Sequence, residues 1–174
     1  MEKMLFIRPD ASYLDEASAY RAEFLSAGSS MDGTGMLRKV DAAEWLRLLP
    51  IYENPETTPA HLVPATQFIY VRESDRRIVG MLQVRHWLND HLRLYDGHIG
   101  YSVRPSERRK GYASAMLQAA LPFCKTLGFD RVLITCYTEN EPSRRTILKN
   151  GGLYENTVHE PQDNKDIERY WITL

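Results

Sequence analysis

The sequence predicts a mixed α/β fold, α+β in class, built as one domain over residues 1–174. Apolar residues switch between strand-like runs and helical spacing along the whole chain, in the order β-α-α-β-β-β-α-β-α-β-β. The centre of this order is a strand, a helix and a strand, a unit that forms a right-handed crossover between parallel strands. A chain of 174 residues is also long enough for one domain with a full-sized core.

The first half of the chain predicts one strand and two helices. A short strand covers residues 4–8, and apolar residues at helical spacing predict a helix over 12–27. Residues 26–36 are rich in glycine and serine, which indicates a mobile loop. Asp41 is a good N-cap for a second helix that runs to about Ile51.

The second half predicts six strands and two helices. Residues 131–137, RVLITCY, are apolar almost throughout, which is typical of a strand covered on both faces. Gly128 and Asn140 mark a helix end and a helix start. In chain order we expect strands over 67–73, 78–87 and 97–103, a helix over 108–127, the strand over 131–137, a helix from 140 to 149, and strands over 153–159 and 168–173.

Charge and hydropathy exclude two classes of partner. The chain has 22 Lys and Arg against 23 Asp and Glu, a net charge of -1, which disfavours nucleic-acid binding through bulk charge. No apolar stretch approaches the ~20 residues that span a bilayer. The first ten residues, MEKMLFIRPD, contain too short an apolar run for a signal peptide. We therefore expect a cytoplasmic protein that binds neither nucleic acid nor a membrane.

The two cysteines predict no metal or disulfide chemistry. Cys124 and Cys136 both lie in apolar contexts, with no CxxC pair and no histidine at metal-ligand spacing. We expect buried free thiols in a reducing compartment and no metal site.

The stretch SVRPSERRKGYASAML, residues 102–117, predicts an anion site. Arg104, Arg108, Arg109 and Lys110 fall within seven residues, just before Gly111. The first turn of a helix offers unpaired N–H groups and a positive dipole end, and glycine lets an anion approach the backbone closely. The stretch is neither GxxxxGK[ST] nor GxGxxG, so it indicates a pyrophosphate cradle of another kind. The alternative is a solvated basic helix start, although cations there oppose the helix dipole.

Arg108-Arg109-Lys110-Gly111-Tyr112-Ala113 resembles the R/Q-x-x-G-x-G/A signature of the GNAT superfamily of acyl-CoA-dependent N-acetyltransferases. Asn140-x-x-Ser143, followed by Gly151 eight residues later, resembles the second motif of that family. The order of elements also agrees over nearly the whole chain, and the two stretches are similar to a bacterial group of uncharacterised predicted acetyltransferases. The resemblance implies a mostly antiparallel sheet of six to seven strands, with a central splayed parallel pair and helices on both faces.

The same resemblance implies that acetyl-CoA is the cosubstrate and that the backbone binds most of it. The splayed strand would hold the pantetheine and thioester, and the amide of Val103 would stabilise the oxyanion of the tetrahedral intermediate. Amides from Arg109 through Ser114 would hold the pyrophosphate, and Asn140 the pantetheine arm. The residues expected to bind the cofactor are Tyr101, Ser102, Val103, Arg108, Arg109, Lys110, Gly111, Tyr112, Ala113, Ser114, Asn140 and Ser143.

The general base and the general acid are less clearly marked. Family members often carry a Glu where this chain has His98, and a histidine that titrates near neutrality suits the deprotonation of an amine. The alternative is a partly buried sheet histidine with satisfied hydrogen bonds; His86 and His91 are weaker candidates. The usual acid, a tyrosine of the second motif, is replaced by Ile147. The remaining candidates are Tyr112, Tyr137, Tyr154 and Tyr170, or the thiolate leaves without enzymatic help.

The resemblance implies transfer of acetyl to a primary amine of a small molecule or peptide, by direct attack in a ternary complex. We expect the loops at 26–40 and 54–66, the segment 88–95 and the last hairpin to form the acceptor side. The missing tyrosine keeps open a second interpretation, a non-catalytic acyl-CoA-binding module of the same fold. The exposed edge of the last hairpin is compatible with a homodimer.

Overall fold

The computed structural model describes residues 2–174 and contains the predicted elements in the predicted order. Most boundaries agree with the sequence-based ones to within about three residues. The elements are β1 Met4–Ile7, α1 Leu14–Ser26, α2 Ala42–Glu53, β2 Ala65–Arg72, β3 Arg77–Arg85, β4 Ile99–Val103, α3 Tyr112–Thr126, β5 Arg131–Tyr137, α4 Glu141–Lys149, β6 Leu153–Glu160 and β7 Lys165–Thr173.

The strands form two antiparallel sheets that meet at β4 and β5. One sheet has the order β1-β2-β3-β4 and the other the order β5-β7-β6. His98, just before β4, donates its backbone N–H to Leu133 O on β5 at 2.7 Å, and its imidazole Nδ1 accepts from Leu133 N at 2.8 Å. Beyond this joint no strand ladder links β4 to β5. The mostly antiparallel arrangement with a splayed central pair is therefore confirmed.

Helices cover both faces of the first sheet. On one face Met116 and Leu117 of α3 pack with Leu82 of β3 and with residues of the second sheet. On the other face Tyr20 of α1 and Trp45 of α2, both fully buried, pack against the β2–β3 hairpin. No helix within residues 2–174 is both long enough and apolar enough to cross a membrane.

Helix α3 begins four residues later than the sequence predicts. Residues 105–107 form a 3-10 turn, and Gly111 adopts a left-handed conformation with φ of +83° immediately before the helix. A left-handed residue cannot continue an α-helix, so the helix starts at Tyr112. The cationic residues of this stretch therefore lie in the turn that precedes the N-terminus of α3, rather than in the helix itself.

Residues 26–36 are irregular, as predicted, but they are anchored rather than mobile. Trp45 donates its indole N–H to Thr34 O at 2.8 Å, and Gln67 donates its amide N–H to Gly33 O at 2.8 Å. Met31 is buried in the same core as α1 and α2. The sequence composition indicated a mobile loop, whereas the tertiary contacts hold this loop in place beside β4.

Both cysteines are unpaired and buried, as predicted. Burial raises the pKa of Cys124 and of Cys136 to about 12. Neither thiol is therefore a thiolate near neutral pH, and neither has the reactivity of a nucleophile.

Candidate acyl-CoA site

A cavity of about 800 Å³ lies in the gap between β4 and β5. The turn before α3 and the start of that helix line one end of the cavity. The start of α4 lines the cavity beside Tyr101, and Gly33 with the segment before β4 lines it beside Gly100. The cavity thus runs along the open edge of β4, in the direction that an elongated cofactor would need.

The register of β4 leaves alternate backbone groups free to face this gap. Arg104 N donates to Val79 O at 2.9 Å, so the even-numbered residues of the strand direct their N–H and C=O groups at β3. The odd-numbered residues Tyr101 and Val103 direct theirs at the gap. The splay of the sheets therefore leaves the N–H and C=O of Tyr101 and the N–H of Val103 unpaired, at the two positions where the sequence predicts pantetheine and oxyanion contacts.

Ser102 does not share this orientation. Its backbone faces β3, and its carbonyl and hydroxyl oxygens each lie 3.0 Å from the Tyr20 hydroxyl on the α1 side. The prediction that the backbone of Ser102 binds pantetheine therefore disagrees with the register. Its contribution is to fix the strand against α1.

The turn before α3 forms one end of the cavity. Arg109, Gly111, Ala113 and Ser114 line it, together with Tyr112. A Cβ placed on Gly111 would meet no atom within 4 Å, so the glycine borders open space where an anion fits against the helix N-terminus. These residues are where the sequence predicts the pyrophosphate cradle.

Arg108 lines the cavity in a fixed orientation. Its Nη2 donates to Ser29 Oγ at 2.7 Å, and its Nε donates to Val103 O at 3.2 Å. The side chain therefore bridges the loop at 26–36 and β4, and its charge is held beside the open edge of the strand.

Two of the clustered cations have other roles. Lys110 is outside the lining of the cavity, and its Nζ donates to Glu107 at 2.7 Å. Arg104 is buried and forms ion pairs with Glu16 and Glu23 of α1 at 2.9 and 2.7 Å. The side chain of Lys110 is therefore committed to a salt bridge, and the prediction that it binds the cofactor is not supported by its position.

The start of α4 brings two predicted residues and one unexpected hydroxyl together. Asn140 caps the helix, its Oδ1 accepting from Ser143 N at 3.2 Å. Ser143 Oγ lies 2.7 Å from the hydroxyl of Tyr101, and all three residues line the cavity. Burial raises the pKa of Tyr101, so the phenol stays protonated.

Sequence reasoning used Tyr101 for its backbone and missed its hydroxyl. The alternation of side chains along the strand could have indicated that the Tyr101 ring faces the helices, because Ile99, Tyr101 and Val103 share one face of β4. That face packs toward α3 and α4. The sequence could not show that the ring of Tyr101 reaches Ser143.

His98 is a structural joint, and this geometry contradicts its prediction as the general base. Its Nδ1 lone pair accepts from Leu133 N, so in the neutral ring Nε2 carries the proton and no lone pair remains for an amine. Burial lowers the pKa of His98 to about 4. The imidazole also packs on Phe129, 4.6 Å between ring centroids, and does not line the cavity.

The other candidates for the general acid and the general base form contacts away from the open edge of β4. Ile147 is fully buried in the core. Hydroxyl groups of four tyrosines have partners away from the β4 edge: Tyr112 donates to Glu2 at 3.0 Å, Tyr137 to Asp163 at 3.1 Å and Tyr170 to Glu168 at 2.7 Å, and Tyr154 pairs with Thr157 at 2.8 Å. His86 Nε2 lies 2.8 Å from Thr66 Oγ1, and His91 pairs with Asp96.

Comparison with known proteins identifies the family. Residues 11–152 match the family model described as an acetyltransferase (GNAT) domain, and this range includes β4, the turn, α3 and α4. The chain therefore belongs to the GNAT acetyltransferase family.

Individual relatives agree with this assignment. The chain is 27% identical over 115 residues to the uncharacterised N-acetyltransferase YnaD of Bacillus subtilis, a match that covers 63% of this chain and 64% of that protein. Its fold is similar to that of a ribosomal-protein-S5-alanine acetyltransferase from Vibrio fischeri, with a TM-score of 0.76 and 16% identity. This match covers 99% of the present chain and 94% of the Vibrio fischeri chain. The fold is also similar to that of yncA, a putative acetyltransferase from Salmonella typhimurium whose structure contains its cofactor acetyl-CoA, with a TM-score of 0.66 and 13% identity. This match covers 98% of the present chain and 94% of the yncA chain.

Proposed function

We propose that this protein transfers acetyl from acetyl-CoA to a primary amine, by direct attack within a ternary complex. The observation that carries the proposal is the open edge of β4. There the unpaired N–H groups of Tyr101 and Val103 lie in one cavity with the Gly111 turn. This arrangement can hold a pyrophosphate at one end and present a thioester carbonyl to a backbone donor at the middle.

The first chemical step requires stabilisation of an oxyanion. The amine lone pair attacks the acetyl carbon, and the carbonyl oxygen gains negative charge that the N–H of Val103 can bind. A preorganised donor of this kind stabilises the transition state by about 3 kcal/mol. Arg108, bound to Val103 O, holds the strand edge in position.

The second step is collapse of the intermediate. The C–S bond breaks, and the thiolate leaves with the bonding electron pair and takes a proton. We assign this proton to the hydroxyl of Tyr101, which burial keeps protonated and which contacts Ser143 Oγ at 2.7 Å. The proton lost by the amine passes to water and restores the phenol through solvent.

Binding is tested with a pair of matched glycine variants. Gly111 and Gly128 have φ of +83° and +86°, and an added Cβ meets nothing within 4 Å at either position. Gly111→Ala and Gly128→Ala should therefore lose similar amounts of stability. Because residue 111 borders the cavity, Gly111→Ala should weaken acetyl-CoA binding by about tenfold or more in calorimetric titration, whereas Gly128→Ala should bind like wild type.

Turnover distinguishes the enzyme from a binding module. Free thiol is followed with acetyl-CoA and a panel of primary amines, and the acetylated product is identified by mass spectrometry. Amine-dependent thiol release that falls in Gly111→Ala supports the transferase. Equal acetyl-CoA affinity in the two glycine variants contradicts the proposed site, and tight binding without amine-dependent release favours the acyl-CoA-binding module.

A further inference from the structure

A second cavity, of about 520 Å³, adjoins the first one at the end that lies away from Gly111. Four residues line both cavities: Asp32, Gly33, Arg85 and Asp96. The two cavities therefore meet at these residues, beside the start of β4. This is the position that an acceptor needs if the first cavity holds acetyl-CoA.

Arg85 presents unused hydrogen-bond donors at the junction of the two cavities. Its Nη1 donates to the carbonyl oxygens of Asp96 and Gly97 at 3.1 and 3.0 Å, which fixes the guanidinium in place. Its Nε and Nη2 have no hydrogen-bond partner within residues 2–174. Nη2 lies beside β4, 3.6 Å from the position of a Cβ built on Gly100. A fixed guanidinium with free donors is suited to a planar anion such as a carboxylate.

The counter-charges near Arg85 do not neutralise it directly. No carboxylate of the described residues forms a salt bridge with Arg85: Asp96 pairs with His91 at 3.1 Å, and Asp32 accepts from Ser30 Oγ at 3.0 Å. Burial lowers the pKa of Arg85, and the charges of Asp96 and Asp32 oppose that shift. The junction thus holds one cation and two anions that are separate, an arrangement complementary to a zwitterion.

The rest of the second cavity has apolar side chains along α2 and at residues 62–63, and its polar lining residues are Thr34, His61, Gln83, Asn89 and His91. Leu48, Leu49 and Tyr52 of α2 form one wall, and Leu62 and Val63 form another. The apolar part of this surface accommodates an aliphatic or aromatic side chain.

On the basis of the proposed function, we propose that the acceptor is an apolar α-amino acid whose carboxylate binds Arg85. Its side chain lies in the second cavity, and its ammonium group is attracted by Asp32 before it loses a proton. The α-nitrogen then forms a bond to the acetyl carbon, and the C–S bond breaks. The thiolate of CoA takes the proton of the Tyr101 hydroxyl, while the proton lost by the nitrogen passes to water and restores the phenol through solvent. The product is an N-acetyl amino acid with an unchanged carboxylate.

The proposal is tested with leucine, leucinamide and 3-methylbutylamine, which share the side chain and differ at the carboxylate. For wild type, kcat/KM should fall about 10- to 100-fold from leucine to leucinamide, because the charge-assisted hydrogen bonds to Arg85 are lost. Arg85→Gln should bring the ratio of the two substrates close to one, and Arg85→Lys should retain part of it. Arg47→Gln, on the exposed side of α2 in a pair with Glu44, is the matched control and should keep the wild-type ratio.

The ratio of kcat/KM for leucine to kcat/KM for leucinamide is informative even if Arg85→Gln lowers the folded fraction, since both substrates are measured on the same protein. Efficient acetylation of all three compounds at similar kcat/KM overturns the inference and leaves the proposed function standing. Preference for an amine with a phosphate instead of a carboxylate also overturns it. If no amine is acetylated although acetyl-CoA binds, both the proposed function and the inference fail.

Discussion

His98 shows how a residue can match a catalytic pattern and have a structural role. The imidazole stands where the two sheets meet, and its Nδ1 accepts the N–H of Leu133 that a continuous sheet would have satisfied with a carbonyl. The joint holds β4 and β5 together at one end, so that they separate at the other. Formation of the cavity therefore depends on this side chain without its taking part in proton transfer.

The pKa of His98, about 4 in the folded protein against 6.5 as its ordinary value, predicts a loss of stability in acid. The neutral ring is favoured by the fold, so its contribution is complete above pH 6.5 and is lost as the pH falls toward 4. His98→Gln keeps an acceptor for Leu133 N but does not titrate. Between pH 7 and 5, wild type should lose about 1 to 2 kcal/mol more than His98→Gln in urea unfolding. Parallel losses in the two proteins would contradict the assignment.

The hydroxyl of Tyr101 predicts a loss of turnover without a loss of binding. Tyr101→Phe removes the proton donor, so kcat should fall about 100-fold, while the Kd for acetyl-CoA stays within a factor of about three. Tyr137→Phe is the matched control, because Tyr137 also lines the cavity but donates its hydroxyl to Asp163. Steady-state thiol release and calorimetric titration check the two quantities. Unchanged kcat in Tyr101→Phe would show that the thiolate leaves without this group.

At the scale of elements, the loop between α1 and α2 determines the shape of both cavities. It crosses β4 in direct backbone contact, where Gly33 with φ of +70° lies against Gly100. A Cβ on Gly33 would stand 2.1 Å from Gly100 O and 2.6 Å from Tyr101 Cα. Glycine at residue 33 therefore permits the close approach of the two backbones, and this contact holds the loop across β4.

Gly33→Ala should be far more damaging than Gly28→Ala in the same loop. Both positions have positive φ, so each substitution costs about 1 to 2 kcal/mol for the backbone conformation. At residue 28 an added Cβ meets nothing within 4 Å, whereas at residue 33 it collides with β4. We expect an additional loss of about 2 kcal/mol or more for Gly33→Ala in chemical denaturation, together with weaker acetyl-CoA binding. Equal losses in the two variants would show that the loop moves aside without cost.

At the scale of the whole molecule, one core ties the two sheets together. Leu82 of the first sheet and Ile134 and Ile172 of the second are all buried in the core that packs under α3 and α4. A separate core holds α1 and α2 on the opposite face of the first sheet. The gap between β4 and β5 is therefore a local separation of strands beside a core that both sheets share.

The sequence by itself determined the order of elements, the family and the position of the glycine turn before α3. These follow from local signals: periodicity places the strands and helices, and Gly111 with its neighbouring arginines marks the turn. The helix cap at Asn140 and the absence of a hydroxyl at Ile147 were also readable, because each depends on one residue and its chain neighbours.

The tertiary structure alone decided which of these residues face the site. Lys110 is bound by Glu107, His98 is bound by Leu133, and the ring of Tyr101 reaches Ser143 from another strand. Arg85 lines the second cavity together with Asp32 and Gly33, which lie more than fifty residues earlier in the chain. A sequence pattern specifies which polar groups are available. Pairing across the sheets decides which of these polar groups remain unpaired. The unpaired polar groups that line a cavity are those that can bind a ligand.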